Sequence, residues 1–167
     1  KKGEIDALTK IIKPDVGVIT NISYAHAKNF KNLKQIALAK SEIINNITKG
    51  GSIVLNADDR FYKFHQKMAL REKLKVYSFS INKKNTTVRL NSIKKEKSKF
   101  KIIININNQK KHFFISSNFE NNLKNLLAAI TVISIFKDIK TLNKNIFYNY
   151  QIPHGRGDIS KIKINKK

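Results

Sequence analysis

The hydrophobic and polar positions along the first half of the chain follow two periods. Apolar residues recur at helical spacing between residues 3 and 13, which predicts a helix that ends before Pro14. Short apolar runs at 16–19, 52–55 and 76–79 predict buried strands, and the stretches at about 33–47 and 59–71 predict helices between them. Strands that alternate with helices are typical of a mostly parallel sheet flanked by helices, so the predicted fold class is α/β.

The pattern changes after residue 80. Strands predicted at 87–93, 100–106 and 112–115 are separated only by polar turns, which is typical of a small antiparallel β meander, at about 86–116, packed beside the parallel sheet. A helix at about 121–136, a shorter one, a loop and a beginning strand follow. We therefore expect a partial central domain over residues 1–152, and over residues 153–167 a junction and the start of a C-terminal domain.

One lysine interrupts the apolar face of the helix predicted at 33–47. At about 100° per residue, Lys40 falls in the middle of that face, between Ile36 and Ile44, whereas Lys34 lies off it. A buried ammonium costs free energy, so such a lysine extends to solvent, pairs with an anion or loses its proton. Two interpretations remain open: Lys40 reaches solvent at the edge of the core, or it is a functional lysine in a partly dry site.

His26 follows the first predicted strand and precedes Lys40 by 14 positions. Ligands of open parallel sheets bind at the carboxyl ends of the strands, so His26 is a candidate ligand beside Lys40. His65, His112 and His154 have no metal-ligand spacing, and we expect them at the surface or in turns.

The formal net charge is +23, and nearly all of the basic residues are lysines. Nucleic-acid surfaces favour arginine, and lysine, asparagine and isoleucine share AT-rich codons, so codon bias is the favoured explanation over a basic nucleic-acid-binding module. The absence of cysteine excludes disulfides and thiolate metal sites. We expect no membrane span and no signal peptide, and therefore a cytoplasmic location.

An ordered set of motifs resembles the central domain of the Mur ligase family. The set comprises Gly3-Glu4-Ile5, Lys13-Pro14-Asp15, Ile19-Thr20-Asn21-Ile22, Ala25-His26, Ala39-Lys40-Ser41-Glu42-Ile43, Leu55-Asn56-Ala57-Asp58-Asp59, Asn122-Leu123-Lys124-Asn125-Leu126-Leu127-Ala128-Ala129 and Gly155-Arg156-Gly157. Each motif alone is weak, but together they follow the family's order across nearly the whole chain. Within the family, the opening motif and the spacing from His26 to Lys40 are most similar to the branch that uses D-alanyl-D-alanine.

The resemblance implies an ATP- and Mg²⁺-dependent amide ligase of peptidoglycan synthesis that acts as a monomer. Its partners would be UDP-MurNAc-tripeptide, whose carboxylate ATP phosphorylates, and D-Ala-D-Ala, whose amine attacks the acyl phosphate. We expect no membrane and no specific nucleic acid among its partners. The alternatives within the superfamily are the ligase that adds the third peptide residue and folylpolyglutamate synthase.

The resemblance also implies roles for individual residues. His26 matches a magnesium ligand, and Lys40 matches a lysine that is carbamylated, which places a carboxylate-like group beside the metal. Asn125 and Asn122 match residues that contact the adenine of ATP. Arg156 would lie near the ATP phosphates.

The chain departs from the family pattern in several places. It contains no glycine-rich loop ending in Gly-Lys-Thr or Gly-Lys-Ser, and we expect that loop, and a metal-binding glutamate, to lie before Lys1. Asn121 stands where the family has histidine, and Lys28 where an acidic residue is usual. We also expect the N-terminal UDP-sugar domain and the C-terminal dipeptide domain to lie outside this chain, so the chain alone should be inactive.

Overall fold

A computed structural model describes residues 2–24, 30–116 and 123–149. Within these residues the regular elements alternate first as helix and strand and then as consecutive strands. They are α1 (Glu4–Ile12), β1 (Val16–Ile19), α2 (Leu33–Ser41), a 3₁₀ segment (Glu42–Asn46), β2 (Ser52–Asn56), α3 (Tyr62–Arg71), β3 (Lys75–Ser80), β4 (Val88–Glu96), β5 (Lys99–Ile106), β6 (Gln109–Ser116), α4 (Leu123–Phe136) and a short 3₁₀ turn (Ile139–Thr141).

The six strands form one sheet in the order in which they occur in the chain. β1, β2 and β3 are parallel, with Ile19 opposite Leu55 and Asn56 opposite Phe79. β4 to β6 form the predicted antiparallel meander. The α/β class and the mostly parallel sheet are therefore confirmed.

The meander continues the parallel sheet, whereas the sequence predicted a unit packed beside it. β4 pairs in parallel with β3 through two positions only, Phe79 with Val88 and Ser80 with Arg89. The rest of β4 therefore runs on past the carboxyl end of β3. A register shift between Leu90 and Ser92 interrupts the pairing of β4 with β5, and such a bulge bends and twists a strand locally.

The two faces of the sheet carry separate hydrophobic clusters because neighbouring strand residues point to opposite faces. On one face Val54 and Phe79 pack with α4 and the meander. On the other face Ile53 and Leu55 pack with α2 and α3. α2 and α4 thus lie on opposite faces of the sheet.

Two of the predicted helices differ from the structure at their ends. The helix predicted at 33–47 is α-helical only to Ser41 and continues as the 3₁₀ segment, with the Glu42 amide bonded to the Ala39 carbonyl. α3 begins at Tyr62 rather than at about 59, because Asn56 and Asp59 bond backbone amides of the turn that precedes it. Side-chain bonds of this kind compete with helix formation.

Gly51 lies where the loop before β2 approaches the backbone just before β1 closely. A Cβ atom at this position would lie 2.7 Å from the Asp15 carbonyl oxygen and 2.8 Å from that of Thr48. Neither backbone atom can move without disturbing the start of the sheet, so glycine is required there.

Candidate functional site at the carboxyl edge of the parallel strands

The polar residues of interest lie just past the ends of β1, β2 and β3. Residues 20–22 follow β1, residues 57–59 follow β2 and residues 81–83 follow β3. Because these strands are parallel, their carboxyl ends meet at one edge of the sheet, which is where ligands of such sheets bind.

Lys40 reaches this edge from the last turn of α2. Its side chain is half-buried, whereas Lys34 on the same helix is exposed. The Lys40 Nζ atom donates a hydrogen bond of 2.8 Å to the backbone carbonyl oxygen of Asn21, directly after β1. The helical pattern placed Lys40 in the middle of the apolar face, whereas in the structure its side chain is only half-buried and its ammonium lies at the border of that face.

Burial lowers the pKa of Lys40, and the nearby carboxylate of Asp59 opposes this shift. Removal of water from an ammonium favours the neutral amine, and the neutral amine is the nucleophilic form of lysine. The surroundings of Lys40 therefore make its neutral, reactive form more accessible than that of a solvent-exposed lysine.

The backbone of three consecutive residues after β1 is held by side chains from other parts of the chain. The Asn56 Nδ2 atom donates to the Thr20 carbonyl at 2.9 Å. Lys40 donates to the Asn21 carbonyl, and the Ile22 amide donates to Asp59 Oδ2 at 2.8 Å. We call residues 20–22 the β1 exit segment.

Asp58 holds the neighbouring loop, after β3, in the same manner. Its Oδ1 accepts from the Ser80 hydroxyl at 2.6 Å, and its Oδ2 accepts from the Ile81 amide at 2.7 Å. The Lys83 ammonium donates to the Ala57 carbonyl beside it. The two adjacent carboxylates of the Asp58-Asp59 pair thus fasten two different loops of the same sheet edge.

His65 is buried, contrary to the expectation from the sequence. Its side chain is 1% exposed, and Nε2 lies 3.1 Å from the Ala37 carbonyl oxygen of α2. A carbonyl only accepts hydrogen bonds, so Nε2 carries the proton in the neutral ring. Burial lowers the pKa of His65, and the bond to Ala37 opposes that shift. His65 therefore connects α3 to α2 through a hydrogen bond. Its partner, Ala37, lies one helical turn before Lys40.

A signal for the burial of His65 was present in the sequence. Phe61, His65 and Ala69 recur at intervals of four residues, which places the three on one helical face. Ala69 is fully buried and Phe61 is half-buried. The spacing of histidines alone, used as a test for metal ligands, missed this packing position.

The other predicted site residues are distributed as follows. His26, Asn122 and Arg156 lie outside the described residues, as does the predicted junction from residue 153 onward. Asn125 is exposed in the first described turn of α4. Lys40 and Asn125 are therefore carried by helices on opposite faces of the sheet.

The described part of the chain holds no group of three or more histidine or acidic residues that could bind a metal ion. Lys40 as an amine is not a ligand for Mg²⁺, which prefers oxygen atoms. A carbamate on Lys40 would supply such oxygens at the sheet edge, and His26 would be the second ligand. The position of Lys40 fits this arrangement.

Comparison with known proteins decides the family. A family model described as the Mur ligase middle domain matches residues 1–133. This chain belongs to the Mur ligase family. The match includes α1 through most of α4, and therefore the whole sheet and the Lys40 region.

Two relatives are UDP-N-acetylmuramoyl-tripeptide–D-alanyl-D-alanine ligases. The one from Buchnera aphidicola is 33% identical over 129 residues, which is 77% of this chain and 27% of the relative. The one from Rickettsia prowazekii is 30% identical over 167 residues, which is 96% of this chain and 36% of the relative. The chain thus spans about a third of the length of these Mur ligases.

A solved structure with the same fold is that of the MurF ligase from Thermotoga maritima in complex with ADP. The TM-score is 0.80 at 21% identity, over 98% of this chain and 36% of that one. This similarity confirms the fold of the Mur ligase central domain. In the described residues of the present chain, no helix is both long and apolar enough to cross a bilayer.

Proposed function

We propose that this chain forms the central region of a cytoplasmic ATP-dependent ligase that joins D-Ala-D-Ala to UDP-MurNAc-tripeptide. The relatives that carry this activity in their names match most of the chain. The observation that carries the proposal is the position of Lys40, half-buried and bonded to Asn21 at the carboxyl edge of the sheet.

The reaction has two chemical steps. An oxygen of the tripeptide carboxylate attacks the γ-phosphorus of ATP, so that an acyl phosphate forms and ADP leaves. The amine of D-Ala-D-Ala then attacks the acyl carbon, its nitrogen loses a proton as the amide bond forms, and phosphate leaves with the electron pair of the broken C–O bond. Negative charge accumulates in both steps, so fixed cations and donors must surround the reacting groups.

Lys40 would serve this reaction as a carbamate. Its neutral amine attacks carbon dioxide, and one proton is released as the N–C bond forms. Partial burial favours the neutral amine, and the bond to Asn21 directs the side chain to the sheet edge. Mg²⁺, when bound by the carbamate and His26, would offset charge on the phosphates.

The remaining residues would bind the nucleotide. Asn125 is exposed near the start of α4 and would contact adenine together with Asn122. Arg156 would lie near the phosphates, because a guanidinium forms paired hydrogen bonds with phosphate oxygens.

The test is a ligation assay on a complete ligase that contains this chain as its central region, hereafter the complete ligase. ADP release should require both UDP-MurNAc-tripeptide and D-Ala-D-Ala, and the product should be the pentapeptide. Transfer of a single amino acid to the muramyl dipeptide, or of glutamate to a folate, would instead identify one of the alternative ligases. ATP turnover that needs none of these acceptors would contradict the proposal.

A further inference from the structure

Every residue of the β1 exit segment is held by a hydrogen bond with a side chain elsewhere in the chain. Asn56, Lys40 and Asp59 each bond one of its three consecutive residues, and they come from β2, α2 and the turn before α3. The segment leads directly to His26, four positions after Ile22. Its placement therefore sets the position of the carbonyl that accepts from Lys40.

Asp59 is the residue that anchors the far end of this segment. Its Oδ2 accepts from the Ile22 amide and its Oδ1 from the Phe61 amide, each at 2.8 Å. Both oxygens therefore act as acceptors, and the carboxylate links the β1 exit segment to the turn before α3. An asparagine at this position offers only one acceptor oxygen, because its other terminal atom is a donor.

We propose that Asp59 is a positioning residue of the ligase site, which holds the β1 exit segment in place as the acceptor of Lys40. This inference rests on the proposed function, since it assumes that Lys40 takes part in the reaction. Asp59 would act through the backbone of residues 21 and 22, without touching the substrates.

The charge of Asp59 acts on Lys40 in the opposite sense to the proposed positioning role. A nearby carboxylate stabilises the ammonium of Lys40 and would repel a carbamate on the same atom. If Asp59 acted on Lys40 through charge alone, its neutralisation would favour the carbamate and raise the rate. If it positions the β1 exit segment, neutralisation lowers the rate.

Asp58 provides a matched control on the adjacent residue. It is half-buried like Asp59 and also accepts two hydrogen bonds, but its partners, Ser80 and Ile81, belong to the loop after β3. Asp58→Asn and Asp59→Asn remove the same charge and the same kind of acceptor. In each variant one acceptor oxygen remains for two donors, and the two variants weaken the anchoring of different loops.

The experiment compares Asp59→Asn, Asp58→Asn and Lys40→Ala in the complete ligase. For each variant the measurements are kcat, KM for D-Ala-D-Ala, the Mg²⁺ concentration at half-maximal rate and the melting temperature. Asp59→Asn should lower kcat and raise the Mg²⁺ requirement by about 10- to 100-fold, as the loss of a supporting partner of a metal site does. Both variants should lower the melting temperature to a similar extent. Asp58→Asn should leave the Mg²⁺ requirement within about twofold of that of the parent ligase.

The outcomes separate the two proposals. Equal Mg²⁺ requirements and rates in Asp59→Asn and Asp58→Asn, with Lys40→Ala severely impaired, would overturn the positioning role and leave the proposed function standing. A faster Asp59→Asn enzyme would also overturn it. A Lys40→Ala enzyme of normal rate would overturn the proposed function and the positioning role with it.

Amide hydrogen exchange in the 167-residue chain tests separately whether Asp59 anchors the Ile22 amide. Asp59→Ala should speed exchange at the Ile22 amide and leave Ile81 unchanged, and Asp58→Ala should do the reverse. Unchanged exchange at Ile22 in Asp59→Ala would contradict the anchoring on which the proposal depends.

Discussion

The side-chain ammonium of Lys40 is bonded to the backbone carbonyl of Asn21, 19 positions earlier in the chain. This bond crosses from the end of α2 to the exit of β1 and places a partly desolvated lysine at the ligand-binding edge of a parallel sheet. The proposed role of Lys40 starts from this fixed and partly buried position.

The stability of the chain should depend on the protonation of His65. Burial lowers its pKa below the ordinary value of 6.5, so in mild acid the unfolded state binds more protons than the folded state. The contribution of His65 is fully present above pH 6.5 and decreases as the pH falls below it. Thermal unfolding measured between pH 8 and pH 5 should show this decrease.

His65→Gln is the control for that measurement. Its amide nitrogen can still donate to the Ala37 carbonyl, but it does not titrate. The variant should lose less stability than the parent chain as the pH falls. Parallel pH profiles for the two chains would show that His65 does not contribute to the acid sensitivity.

The chain should bind duplex DNA weakly and lose binding at moderate salt. Lysines occur on α1 to α4 and on β3 to β6, so the charge is spread over the molecule and no single element concentrates it. Binding that rests on phosphate contacts alone weakens steeply with salt. Titration of a labelled duplex at two salt concentrations measures this, and tight sequence-dependent binding at physiological salt would favour the nucleic-acid-binding alternative.

The 167-residue chain should not hydrolyse ATP by itself. Its sequence has no glycine-rich phosphate loop, and cradling of the phosphates supplies much of the catalysis in phosphoryl transfer. A phosphate-release assay on the purified chain should match the buffer control. Turnover that copurifies with the chain and disappears in Arg156→Ala would contradict this prediction.

The parts of the fold that depend on local periodicity could be predicted from the sequence. Apolar runs at β1, β2 and β3 and the turn-separated strands of the meander appear directly in the pattern. The pairing of Phe79 with Val88, which joins the meander to the parallel sheet, could not be predicted. It depends on the path of the loop at 81–87, which Asp58 fixes through contacts distant in sequence.

The candidate site was predicted only in part for the same reason. Helical spacing placed Lys40 in the middle of an apolar helical face, and in the structure its side chain is half-buried and bonded to the Asn21 carbonyl. Asn21 and Asp59 were not identified, because their roles arise from a backbone carbonyl and a backbone amide that carry no sequence signal. The prediction that His65 lies at the surface was wrong, because its position on the same helical face as Phe61 and Ala69 favours burial despite its polar ring.

The rate of the Lys40→Ala variant of the complete ligase tests the central claim most directly. We predict a loss of about 100-fold or more, with an unchanged or higher melting temperature because a costly burial is removed. Added formate or acetate should restore part of the rate by standing in for the carbamate. Lys34→Ala, on the exposed side of the same helix, should have a normal rate. A normal rate in Lys40→Ala, or equal losses in both variants, would contradict the account.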